Sequence, residues 1–227
     1  MPPLDETGRC ERRRAAEFER AYADALVEGE SAAAEAVIRE AIEAGLEEAL
    51  IDDHVIRPAL QLVGDLWAEG DLTIAEEHLA TAISLRVLML QREAFRVARR
   101  RASHRILLAG AQGELHVVGL HMAGSLILHA GYDVRLFGAD LPIDEISSAV
   151  EIHRPAVVGF TTASAQTAAN LPAAIDAVRR LAPEAGVMVG GLGVDDAWSA
   201  VLDVVVCHHV GDAVQHVDAL VQRAAHN

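Results

Sequence analysis

The chain of 227 residues contains no lysine. Its 19 basic residues are all arginine, set against 34 aspartates and glutamates, for a formal net charge of −15. The excess of acid is even, −8 through residue 101 and −7 beyond it. A surface of this sign repels phosphate backbones, which argues against direct nucleic-acid binding. The local exception is the run Arg96, Arg99, Arg100, Arg101 and Arg105. It reads as a cationic helix C-terminus running into a linker, where the helix dipole favours positive charge. Cysteine is nearly absent: Cys10 and Cys207 lie far apart and match no metal-ligand spacing. Free thiols are expected rather than a disulfide framework or a zinc site. Aromatic residues make up only 4% of the chain against 52% hydrophobic, so Ala, Val, Leu and Ile must build the core. No apolar run reaches the roughly 18–20 residues that span a bilayer. The first fourteen residues are polar rather than signal-like, so a cytoplasmic protein with no membrane partner is expected.

Two periodicities divide what is present. Residues 1–14 are expected to be disordered or extended, and 15–101 to form a helical bundle. Segments 15–27 and 31–44 carry apolar residues at three-to-four spacing, with Gly29 between them. A shorter piece, 46–53, precedes 54–69, with Pro58 in a first turn or at a boundary, and Gly70 as the stop. Thr73-Ile74-Ala75-Glu76 has capping-box spacing and opens a long helix to about residue 98. These segments make four principal helices. Near residues 100–104 the pattern changes. Short β-branched runs at 105–111, 134–138, 156–162, 186–190 and 203–207 alternate with helical segments at 116–130, 143–154, 165–181 and 212–225. Strands so uniformly apolar are buried on both faces, which predicts a doubly wound, Rossmann-like (flavodoxin-like) α/β domain over 104–227 with a five-stranded parallel sheet. Such sheets bind ligands at the carboxyl ends of their strands, here the loops holding 113–119, 161–166 and 190–193.

The first of those loops reads Glu114-Leu115-His116-Val117-Val118-Gly119. A histidine at a strand end can swing a ring nitrogen over the sheet edge. Glu114 can orient it by accepting from the other nitrogen, as carboxylates do for metal-bound histidines. Gly119 would let a bulky planar ligand approach the helix backbone. Alone, H-x-x-G reads first as an ordinary loop histidine. A dinucleotide site is disfavoured, because the loop lacks G-x-G-x-x-G and Gly138, not an acid, ends the second strand.

With Thr161-x-Ala163 and Gly190-Gly191 placed beside that loop, residues 105–225 resemble the cobalamin-binding domain of methionine synthase, corrinoid methyl-transfer proteins and cobalamin mutases, whose pattern is D-x-H-x-x-G, S-x-L, G-G. The stretch Phe137-Gly138-Ala139-Asp140-Leu141-Pro142 adds to the likeness. The resemblance implies base-off binding with His116 as the lower cobalt ligand and Val117 and Gly119 beside it. It also implies a channel for the nucleotide tail, lined by Thr161, Ala163, Gly190 and Gly191. Glu for Asp at 114 departs from the pattern and from a methionine-synthase-like proton relay. Thr and Ala at 161 and 163 leave the tail contacts and the lower-base preference open.

In the helical half, Trp67 is followed after nine residues by Glu77-His78. His78 shares a helical stripe with Ala82, Leu85 and Met89, which is expected to face inward, and a histidine there commonly packs in a core. The W-x9-E-H spacing, together with Glu114, resembles the CarH/LitR family of light-sensing cobalamin proteins. That resemblance implies adenosylcobalamin capped by Trp67 and hydrogen-bonded by Glu77. It further implies a light-broken cobalt–carbon bond, His78 as the new upper ligand and hydroxocobalamin as the illuminated form. Members of that family begin with a MerR-type DNA-binding domain, which the polar residues 1–14 do not supply. Output is therefore expected through a light-dependent homo-oligomer or a partner regulator protein. A corrinoid methyl carrier serving a methyltransferase, or a hydroxocobalamin-binding antirepressor, are the alternatives. Apart from the first of these, no enzyme is expected.

Overall fold

A computed structural model describes residues 6–95 and 104–224, with side chains from residue 11 onward. The chain divides into two compact units, Met1–Arg96 and Val97–Asn227. Among the described residues no helix is long and apolar enough to cross a membrane.

The first unit is built from α1 (Glu6–Val27), α2 (Ser31–Glu43), α3 (Glu48–Ile51), a π turn (Asp52–Ile56), α4 (Arg57–Glu69) and α5 (Ile74–Ala94). α1 starts nine residues before the expected 15, because Glu11 and Arg12–Arg14, though polar, are strong helix formers. The arginines from 96 to 101 and the expected end of the long helix at 98 lie outside the described residues. α1 packs against α2, α4, α5 and the π turn. It buries Ala15, Tyr22 and Leu26 among Ile38, Ile51, Val55, Ile56, Val63, Ile83 and Val87.

The two pieces expected at 46–53 and 54–69 are one unbroken helical run from 48 to 69. Pro58 has no N–H for its own i→i−4 bond, and the ladder ahead of it widens by one residue. The Arg57 amide accordingly reaches Asp52 O, five residues back, while both residues stay right-handed. Gly70 adopts φ +87 and closes α4, as only glycine does at no cost. The Thr73–Glu76 capping box then opens α5.

The second unit alternates β1 (Arg105–Gly110), α6 (Val118–His129), β2 (Asp133–Gly138), α7 (Ile143–His153), β3 (Val157–Thr161), α8 (Ala165–Ala168), α9 (Leu171–Leu181), β4 (Gly186–Gly190), α10 (Ala197–Leu202), β5 (Val205–Cys207) and α11 (Ala213–Ala224). The segment expected as one helix over 165–181 is split at Ala169–Asn170. Pro172, in the first turn of α9, cannot continue a ladder from α8. All pairs are parallel and the sheet order is β2-β1-β3-β4-β5, the flavodoxin-like arrangement.

Side chains alternate across this sheet. Ile106, Leu108, Val157 and Met188 pack under Leu120 and Ile127 of α6 and Val217 and Leu220 of α11. Leu107, Ala109, Val158, Phe160, Val187 and Val189 pack under α7 and α9. Both faces of the central strands are thus dry, and their backbone polar groups go into the ladder. Strand order reverses between β1 and β3, which opens a crevice beyond their carboxyl ends.

Candidate functional site

The β1 loop fills that crevice. Ala111 extends the strand by donating to Thr161 O at 3.1 Å, and Glu114 N then turns back onto Ala111 O at 2.8 Å through Gly113 at φ +86. The turn drives the Glu114 side chain inward until it is 1% exposed. Four donors meet it there. Its Oε1 accepts from His116 N and lies 2.7 Å from His116 Nδ1. Its Oε2 accepts from Ala163 N at 2.5 Å and from the Thr167 hydroxyl at 2.8 Å. Burial pushes the carboxyl up, but the hydrogen bonds from Ala163, His116 and Thr167 together outweigh it and hold the group below its ordinary range. Glu114 is therefore an ionised, fully partnered buried carboxylate.

The ring it holds is not buried. The His116 side chain is 78% exposed. With Nδ1 turned to Glu114, Nε2 on the opposite side of the ring keeps its lone pair for another partner. Val117 precedes the first turn of α6, and the position a Gly119 side chain would take is open space. Leu115 and Leu192 are largely exposed, giving the loops an apolar rim.

Neighbouring loops brace this arrangement. Asp140, after β2, accepts from Gly113 N at 2.6 Å and donates its own N–H to Glu114 O at 2.8 Å. Asn170 reaches Gln112 O at 2.8 Å. The Thr167 hydroxyl also contacts Thr162 Oγ1 at 2.5 Å and Ser164 Oγ at 3.1 Å. After β4 the chain is pressed against the β3 loop. Thr162 N donates to Gly190 O and Gly193 N to Thr162 O. A side chain on Gly191, at φ +98, would collide with Thr162 O. Thr161 ends β3, its Oγ1 beside Gly191.

The helical unit holds the other three residues. Trp67 is on the stripe of Ala59 and Val63, both buried, yet is 48% exposed. Glu77 lies in the first turns of α5 and repeats the carboxylate–imidazole device. Its Oε2 is 2.6 Å from His78 Nδ1, and its Oε1 accepts from Thr81 at 3.0 Å. The His78 ring is 72% exposed. Its stripe does not face inward as expected. Ala82 and Met89 are exposed and Leu85 is half-buried, while Ala80, Ile83, Ser84, Val87, Leu88 and Gln91 face the core. An apolar heptad-like stripe marks two possible faces on a helix, and here the one through Ile83 and Val87 takes the interior.

Sequence reading did not single out Thr167, Thr162 or Asn170. The signal was present in Ser164-Ala165-Gln166-Thr167, a capping-box spacing at a strand's carboxyl end, which the structure confirms as a cap of α8. Among the described residues no group of three or more His, Cys, Asp and Glu is arranged to hold a metal by itself.

Residues 104–220 match the B12 binding domain model, and residues 19–90 match a second B12 binding domain model. The HTH-type transcriptional repressor CarH of Myxococcus xanthus is 32% identical over 140 residues, covering 61% of this chain. That match spans 46% of the relative, just under half its length. Trimethylamine corrinoid protein 2 of Methanosarcina acetivorans is 25% identical over 184 residues, 78% of this chain and 83% of the relative. Among solved structures, the monomethylamine corrinoid protein of Methanosarcina barkeri aligns at TM-score 0.75 and 16% identity, covering 90% of this chain and 97% of that one, a likeness of fold. With its sheet domain matched almost end to end, the chain belongs to the B12-binding domain family, and its cofactor is a corrinoid.

Proposed function

We propose that the chain is a cobalamin-based light sensor in which His116 is the lower axial ligand and His78 the conditional upper one. The observation that carries this reading is the pair of carboxylate–imidazole dyads, Glu114–His116 and Glu77–His78, each engaging Nδ1 and leaving Nε2 for a metal. The fit of a corrinoid rests on that donor chemistry, on the open space at Gly119 and on the exposed apolar residues Leu115 and Trp67. Adenosylcobalamin, when bound, supplies a light-labile cobalt–carbon bond.

The two dyads differ in stiffness, and the difference matches their roles. Glu114 is buried and fixed by two backbone amides and a hydroxyl besides the ring, so His116 is preorganised as a permanent ligand. Among the described residues Glu77 is held by His78 and Thr81, both on its own helix. His78 can therefore leave one rotamer for another at small cost and take the position the adenosyl group vacates. Trp67, with half its surface unpacked, shelters the upper face in darkness. Glu77 then has two duties, hydrogen-bonding the adenosyl group and aligning His78. The tail passes Thr161, Ala163, Gly190 and Gly191. Replacing one upper ligand by another shifts the helical unit between two packings, read out in the cytoplasm through self-association or a partner regulator.

The test is an absorbance measurement: load the chain with adenosylcobalamin in darkness, illuminate, and follow the spectrum. A light-induced change to a bis-imidazole spectrum that His78→Ala alters is expected. A spectrum unmoved by light rejects the reading.

The second reading is a corrinoid methyl carrier, favoured by the likeness to trimethylamine corrinoid protein 2 over 83% of that protein's length. It expects a methylcobalamin state formed with a partner methyltransferase, and no effect of His78→Ala on lower-ligand binding or methyl loading.

A further inference from the structure

The helical unit contains a buried polar pair that neither dyad uses. Asp52 opens the π turn and is fully buried, and Gln91, near the end of α5, is 1% exposed. Gln91 Nε2 donates to Asp52 Oδ1 at 3.0 Å. The remaining oxygens of the two groups, Asp52 Oδ2 and Gln91 Oε1, are both buried without a hydrogen-bond partner among the described residues. Neither oxygen can satisfy the other while the carboxyl is ionised, because both only accept. A single proton removes both defects. Placed on Oδ2 and given to Gln91 Oε1, it completes a two-point acid–amide pair with opposed donors. We propose that Asp52 is carried as a neutral carboxylic acid sharing two hydrogen bonds with Gln91, a proton-dependent latch that ties the π turn to α5.

The surroundings favour the neutral form. Glu48, one turn earlier, and Asp53, beside it, are both acidic and both act on Asp52, as Asp52 acts on Tyr22 of α1. Arg57 of α4 is engaged with Asp53 at 3.5 Å. On α5, Ser84 is neutral and takes the Tyr22 hydroxyl at 3.0 Å, while the charged neighbours of Gln91, Arg92 and Glu93, lie on the exposed side. Burial first, then Glu48, pushes the Asp52 carboxyl well above its usual range, with the Gln91 bond opposing. A raised folded value makes this contribution to stability complete below the ordinary carboxyl value of about 3.9, and lost progressively above it until Asp52 ionises in the fold. Over that window the opening equilibrium rises by about tenfold per pH unit.

Asp52→Asn tests the latch in the full chain. An asparagine amide places an N–H where the acid has its O–H and preserves both bonds without titrating. The infrared difference between wild type and Asp52→Asn at neutral pH should contain the carbonyl band of a protonated carboxyl. Hydrogen exchange over 48–56 and 83–94 should be slower in the variant, by a factor that grows about tenfold per pH unit until Asp52 ionises. Gln91→Leu should move the carboxyl band by removing its acceptor. Absence of the band in wild type overturns the proposal whatever the variants do. So does faster exchange, or failure to fold, in Asp52→Asn, since either means that the site needs the charge.

Discussion

Replacing Glu114 by glutamine changes one oxygen to an NH2 group and removes the charge, and the structure says what must follow. All four of its partners are donors, two at each oxygen. Turned one way, the new NH2 meets His116 N–H and Nδ1; turned the other, Ala163 N–H and the Thr167 hydroxyl. The imidazole can change tautomer and the hydroxyl can rotate, but a backbone N–H cannot become an acceptor. Either orientation leaves one buried amide unsatisfied, at about 1–3 kcal/mol, and weakens the surviving bonds from charge-assisted to neutral. A loss of about 3–5 kcal/mol from the α/β unit is expected, against about 1.5–3 kcal/mol for Thr167→Val, which removes one of the four donors to Glu114 together with the hydroxyl's contacts to Thr162 and Ser164. The chain has two tryptophans, so in a Trp67→Phe background Trp198 alone reports this unit in urea unfolding followed by fluorescence. Corrinoid affinity, measured by hydroxocobalamin absorbance titration with Trp67 intact, should fall 10- to 100-fold in Glu114→Gln through a misaligned His116. A stability change under 1 kcal/mol, or a larger loss in Thr167→Val than in Glu114→Gln, would refute the account of Glu114 as a four-donor hub.

Three further outcomes follow from the same contacts. Because the Glu114 carboxyl lies below its ordinary value of about 4.3, its contribution is complete above that pH and lost as pH falls through the lowered value. Acid unfolding read at Trp198 should therefore have a steep limb that Glu114→Gln flattens. Gly191→Ala should cost about 2 kcal/mol or more, from positive φ and the collision with Thr162 O, measurable as a lower Tm with reduced cobalamin affinity. Thr73→Ala removes the cap of α5 and should cost the helical unit about 1 kcal/mol, read as faster hydrogen exchange over 73–78.

The sheet domain was legible because a parallel strand buried on both faces leaves little choice of residue. Arg105–Gly110 and Val157–Thr161 show it, and each expected strand was found within two residues of its ends. Glu114 and His116 were legible for a different reason, a short spacing at a strand end that couples one side chain to the next. Thr167 was not, because its link to Glu114 spans 53 residues and depends on how two loops meet. The inward stripe through Met89 failed because periodicity fixes which residues share a face, not which of two apolar faces the neighbours cover. The division of 48–69 failed because Pro58 was read as a first-turn residue or a boundary, whereas an added residue in the ladder carried the helix past it.

That added residue sets the phase of everything after it. In an α-helix each residue turns the side chain by about 100° around the axis. The same residues wound as an unbroken α ladder, without the widened turn at Asp52–Ile56, would bring Ala59 and Val63 off the core and turn Trp67 by the same angle. The π turn thus acts as a rotary offset. Five residues decide where around its helix the indole is presented, and a one-residue insertion or deletion between them and Trp67 would redirect it while leaving Trp67, Glu77 and His78 intact in the sequence.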